Sequence, residues 1–150
     1  MNAVNGQVPS ANIRRPIPGA VPHQRLPILI FDGDCGFCTM SVDFMKRWIR
    51  PRAQIVAWQF ADLNALGLTQ IECTEAVQWV PTSGEHTSGA AAVAHVLRAS
   101  PAPWPVAGFT MAAPIIRVVA DRVYKLIAKN RYRLPGSTPA CKVAAQPAAA

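Results

Sequence analysis

A chain of 150 residues, 51% of them hydrophobic and 15% charged, suits one compact domain and leaves little room for two. Its formal net charge of +7 raises the question of nucleic acid, but most of the cations lie in three separated places, Arg14 to Arg25, Lys46 to Arg52 and Arg117 to Arg133, with no RRM aromatic pair or Cys/His finger beside them, so solvated helix faces are expected and a nucleic-acid partner is not. No apolar run reaches the roughly 18 residues that span a bilayer, and the polar start lacks the core of a secretory signal, so a cytoplasmic protein is expected, and in that compartment a structural disulfide framework is not expected.

Residues 1–25, with Pro9, Pro16, Pro18 and Pro22 and no periodicity, read as a disordered leader. "LPILIF" (26–31) is a short apolar run bounded by Pro27 and Gly33, the pattern of a strand buried on both faces. After the stretch "FDGDCGFC" (31–38), Val42, Met45, Trp48 and Ile49 recur at helical spacing, with Asp43 and Arg47 placed for an i,i+4 ion pair and Pro51 as the stop. "QIVAWQF" (54–60) reads as a second strand, parallel to the first because a helix connects them. A short helix near 69–72 leads to "AVQWV" (76–80), the turn "PTSGE" and a return strand near His86, which together predict a β-hairpin.

Residues 89–99 predict a helix with Ala92, Val93, Val96 and Leu97 on one face, ended by Pro101, Pro103 and Pro105, among which Trp104 could line a groove. A longer helix follows over about 114–131. Its expected buried face is Ile115, Val119, Val123, Leu126 and Ile127, with Arg117, Asp121, Lys125 and Lys129 on the other. Trp48, Trp58 and Trp79 read as core. From Pro135 the Pro- and Ala-rich remainder has no face to bury, so the expected domain is 26–134, followed by a flexible tail over 135–150. The fold class is α/β: a βαβ unit, then a β-hairpin, then C-terminal helices.

The chemistry is expected at the end of the first strand. A thiolate, not a thiol, attacks a disulfide, and a helix N-terminus favours ionisation of a thiol placed there. With Asp34 as N-cap, Cys35 is expected to be the exposed nucleophile and Cys38, one turn on, the resolving thiol. Gly36 is expected to leave the nucleophile's surroundings open and Phe37 to offer apolar surface to a substrate. Asp32 is a candidate for proton transfer or for fixing the loop; both acids of "DGD" are also ordinary turn residues. Near the C-terminal end Asn130, Arg131 and Tyr132 could hold the Asp32 loop, with Arg131 pairing with the carboxylate. Cys73 reads as a half-buried small hydrophobe, Cys141 as an exposed thiol in the tail, and His86 and His95 as ordinary surface or satisfied histidines.

"FDGDCGFC" resembles the DxxCxxC signature of the DCC family of thiol-disulfide oxidoreductases, relatives of thioredoxin, with Asp32, Cys35 and Cys38 in the naming positions. The likeness extends over about 28–134. "SGAAAV", with Gly89 and Ala92, and "VYKLIAKNRYRL" (123–134) are similar to the family's later Gly-x-x-Ala and Tyr-x-x-x-Ala-x-Asn-Arg-Tyr features. The resemblance implies a thioredoxin-like fold and dithiol-disulfide exchange without a bound cofactor. Its partners are then a thiol or disulfide substrate, protein or small molecule, and a cellular reductant or oxidant. Two departures from thioredoxin stand out: the dipeptide inside the Cys pair is Gly-Phe, and Glu75 and Ala76 precede the third strand where thioredoxin has a cis-proline, Pro81 coming only after it. Two rival readings stay open at this stage. The Cys pair could ligate a metal, although Cys73, Cys141, His23, His86 and His95 are isolated and no metal site is predicted. Alternatively the fold could be a binding module with incidental thiols.

Overall fold

The computed structural model describes residues 25–134, so the leader (apart from Arg25) and the tail, with His23 and Cys141, lie outside the described residues. Strand β1 (Ile28–Phe31) feeds a loop and helix α1 (Gly36–Phe44), which continues as a π-helical turn over Met45–Ile49. Strand β2 (Gln54–Ala57) runs into a 3-10 turn (Trp58–Phe60) and two short helices, α2 (Leu63–Leu66) and α3 (Gln70–Glu75). Then come β3 (Gln78–Val80), β4 (Thr87–Ser88), α4 (Gly89–Arg98), α5 (Trp104–Ala112), α6 (Pro114–Asn130) and a closing 3-10 turn (Arg131–Arg133).

The four strands form one mixed sheet in the order β2-β1-β3-β4. β1 pairs parallel with β2, Ile28 opposite Gln54, and antiparallel with β3, Leu29 opposite Trp79; β3 and β4 close the expected hairpin. A βαβ unit and a β-hairpin thus share β1 and β3 at the centre, the thioredoxin-like arrangement. Alternation along β1 explains why its whole run is apolar. Leu29 points into a cluster with Trp79, Ala92 and Val96 under α4, whereas Ile30 points to the other face, with Leu66, Leu68, Cys73 and Val80 under α2 and α3. Cys73 is thus fully buried rather than half-buried. α3 starts where the sequence places it because Thr69 and Glu72 form a reciprocal capping box.

Several expectations about the elements need correction. The second strand ends at Ala57, and Trp58 opens a 3-10 turn instead of extending it. Trp48, read as core, is 61% exposed. The π turn, closed by the Arg50 N–H donating to Met45 O at 2.9 Å, takes one more residue per turn than an α-helix, so Ile49 comes onto the buried face and Trp48 swings out. Helix α5 occupies a stretch read as proline-rich connection. Pro105 stops nothing there, because at the first turn of a helix proline lacks only an N–H that has no intrahelical partner.

The largest correction concerns α6, whose expected core face points outward: Ile115, Val119, Val123, Leu126 and Ile127 are all exposed. The half-buried positions are instead Ala120, Tyr124 and Ala128, spaced by four, together with Asp121 and Asn130. This side lies against α4, where small residues let the backbones approach. Gly89, at φ 60°, would place a Cβ 3.3 Å from the Tyr124 ring. Gly108 of α5 is tighter still: a Cβ there would come within 2.8 Å of the α4 backbone at Ala94 and Arg98.

Candidate active site

The carboxyl end of β1 turns through Asp32, Gly33 and Asp34 into α1, and the Cys pair sits at that turn. Cys35, not Asp34, is the N-cap of α1: its Sγ accepts the Cys38 backbone N–H at 3.3 Å. Asp34 is exposed and contributes its backbone N–H, which donates to Asp32 Oδ1 at 3.1 Å. The capping role moves one residue along because the Asp32 side chain has taken the turn that Asp34 would otherwise make. Cys38, three residues on, brings its Sγ to 2.6 Å from Cys35 Sγ, and both cysteines are free. A small torsional change brings this pair to the roughly 2.05 Å of a disulfide bond.

Burial overturns the expected exposure. Cys35 is 0% exposed, and Gly36 beside it is buried, so the surroundings are not open; Cys38 and Phe37 are half-buried. Two hydrogen bonds, from the Cys38 N–H and the Cys38 thiol, converge on Cys35 Sγ at the start of α1. Cys38 is correspondingly reluctant to ionise. Its pKa is pushed up from 9.0 to about 12, first by burial, then by the hydrogen bond to Cys35 and the charge of Cys35; Arg131 works in the other direction.

Asp32 is 4% exposed and has partners on both oxygens. Oδ1 accepts the Asp34 N–H and, at 3.3 Å, the Trp58 indole N–H; Oδ2 lies 3.5 Å from the Arg131 guanidinium, whose side chain is itself only 11% exposed. The pairing expected between the C-terminal stretch and the loop is therefore present. Arg131 also donates to the Thr74 carbonyl and, at 2.8 Å, to Tyr132 Oη. Burial opposes its charge, but Tyr132, Cys38 and Asp32 outweigh burial and hold the guanidinium above its ordinary range.

Tyr124 is the site residue to which the sequence reading assigned no role. Its Oη accepts the Val77 N–H at 3.0 Å, and Gly89 N–H in turn donates to Val77 O at 2.9 Å. The segment before β3, where thioredoxin has its cis-proline, is thus fastened on both sides by Tyr124 and Gly89. Burial raises the Tyr124 pKa, and the nearby thiol groups of Cys38 and Cys35 add to it. The signal was available in the spacing of Tyr124, Ala128 and Arg131, one helical face apart. Trp58 was read only as core, and its indole donor is a second component missed.

Among the described residues, no group of three or more His, Cys, Asp and Glu side chains gathers in a way that could hold a metal ion.

A family model described as DCC1-like thiol-disulfide oxidoreductase matches residues 29–137. The chain belongs to that family. No curated protein and no solved structure matches it. Membership of the DCC1-like family places the Cys35–Cys38 pair in a redox setting and gives physical sense to the later sequence features. Gly89 makes room for Tyr124, Ala92 is fully buried under the sheet, Asn130 Nδ2 donates to the Leu126 carbonyl at 2.8 Å near the end of α6, and Arg131 reaches back to Asp32.

Proposed function

We propose that the protein is a thiol-disulfide oxidoreductase that works by dithiol-disulfide exchange, Cys35 attacking and Cys38 resolving. The observation that carries this reading is the convergence of two hydrogen bonds on Cys35 Sγ with the second sulfur 2.6 Å away. In the reducing direction, Cys35 thiolate attacks one sulfur of a substrate disulfide, forming a mixed disulfide and expelling the other sulfur as a thiolate. Cys38 then gives up its proton and attacks Cys35 Sγ. The second substrate sulfur leaves as a thiol, two electrons have passed to the substrate, and the Cys35–Cys38 disulfide remains.

The pKa of Cys38 supplies the timing. Burial is constant, but the charge and acceptor of Cys35 vanish once its sulfur carries the substrate, while Arg131 continues to favour ionisation. Cys38 is therefore held back most strongly before the first step, and part of that restraint is released after it, while burial and Asp32 continue to oppose ionisation. Asp32, engaged by Asp34, Trp58 and Arg131, serves this scheme as the group that fixes the loop. Half-buried Phe37 lines the approach, and substrates are thiols or disulfides exchanged with a cellular reductant or oxidant in the cytoplasm. Among the described residues no helix is long and apolar enough to cross a membrane.

The test is covalent capture with a small aromatic disulfide. Cys38→Ser should retain half of the probe on Cys35, and the native pair should release it. Capture by Cys35→Ser instead reverses the roles. A second reading, a binding module with incidental thiols, draws on the complete burial of Cys35; a pair that never closes in dithiol redox buffers would establish it.

A pH dependence follows with a definite sign. Because folding raises Cys38 from 9.0 to about 12, its contribution to stability is fully present below pH 9.0 and is lost as pH climbs to about 12. Denaturant midpoints of the reduced protein should fall over that window, and less steeply for Cys38→Ser.

A further inference from the structure

We propose that the outward face of α6 docks on a membrane surface carrying anionic lipid. This stands on different observations from the exchange chemistry.

None of the 17 residues of α6 is buried. Ile115, Val119, Val123, Leu126 and Ile127 form one continuous stripe at spacings of three and four, with Ile115 83% and Leu126 63% exposed. A contiguous apolar face of this kind is seldom left bare on a soluble protein. The opposite side of the helix is already used, since Ala120, Tyr124 and Ala128 face α4 and Tyr124 holds Val77. The stripe therefore has no role inside the described domain.

Charge identifies the occupant. Along one edge of the stripe run Arg122, Lys125 and Lys129, all exposed, at spacings of three and four. The only acid on α6 is Asp121, which lies on the half-buried inner side. An apolar stripe bordered by cations is the pattern of a helix lying in the plane of an anionic interface. Two copies pairing antiparallel through the stripe would instead set this basic edge against itself, a like-charge contact that a surface of lipid phosphates converts into attraction. No helix among the described residues is long and apolar enough to cross a bilayer, so the contact proposed for α6 is with the surface. Because Tyr124 and the dithiol are on the inner side, docking leaves the redox site uncovered.

The experiment is co-sedimentation of the full chain with vesicles of phosphatidylcholine alone or phosphatidylcholine mixed with phosphatidylglycerol. Binding is expected only to the mixed vesicles and should weaken as salt is raised. The exposed-face variant Ile115→Gln/Leu126→Gln should lose about tenfold or more of the partitioning, with its free-thiol count and circular dichroism unchanged. Lys125→Gln/Lys129→Gln should lose a comparable amount. No binding to mixed vesicles overturns the proposal. So does loss with the charge variant but not the apolar one, which would be adsorption of a basic protein only. A concentration-dependent dimer in sedimentation equilibrium, abolished by the apolar variant, would assign the face to a second copy of the chain and equally overturn it.

Discussion

Helices α4 and α6 carry their apolar residues at the same period and meet the rest of the molecule in opposite ways. In α4 the period marks the buried face: Ala92 and Val96 are wholly enclosed under the sheet, and Ala90, Ala94 and Leu97 are buried with them. In α6 the period marks the exposed face, and contact is made by two alanines and a tyrosine. The difference is one of what each helix leans on. α4 covers an open sheet face that needs branched side chains to fill it. α6 lies outside a helix already lined with alanine and a glycine, where small residues permit approach and one aromatic ring fills the gap left by Gly89. Hydrophobic periodicity groups residues on a face; the shape of the neighbour decides which face is turned inward.

That contrast can be broken most severely just past α6, at the Arg131 side chain that reaches the enclosed Asp32. Arg131→Met leaves the Asp32 carboxylate enclosed without its counter-charge, and a loss of about 3 kcal/mol is expected in urea unfolding. Within α4, Val96→Ala removes two methyl groups from a fully enclosed position and should cost about 2 kcal/mol by the same measurement. On the inner side of α6, Tyr124→Phe withdraws the acceptor of the Val77 N–H. The expected loss is about 1.5 kcal/mol, with faster hydrogen exchange at the Val77 amide. On its outer side, Ile115→Gln should move stability by less than about 0.5 kcal/mol, a result that would sharpen the contrast, whereas a loss like that of Val96→Ala would erase it.

Much of the frame was legible in the residues. The doubly buried β1, the parallel second strand, the hairpin around "PTSGE" and the short capped helix at Thr69 each follow from local pattern and turn chemistry. The Cys pair and its link to Arg131 through Asp32 were legible too, because a buried acid near a thiol calls for a cation and the family-like C-terminal stretch offers one. What escaped was decided by tertiary context. Pro105 begins a helix as readily as it punctuates one, so α5 read as connection. The π turn that exposes Trp48 leaves no mark in an α-helical count. The N-cap passed from Asp34 to Cys35 because Asp32 received the Asp34 N–H, a competition between two carboxylates that spacing cannot rank.

The Asp32–Arg131 pair also bears on how the protein is made. The thiols and their loop emerge early in synthesis, next to the first strand, while the guanidinium that balances the loop carboxylate belongs to the last turn of the described domain. Until that turn has left the ribosome and docked, Asp32 lacks its counter-ion and Cys38 lacks the cation that favours its ionisation. The loop that carries the thiols is therefore among the first parts of the domain to be translated and among the last to be completed, because its carboxylate waits for a cation from the far end of the chain.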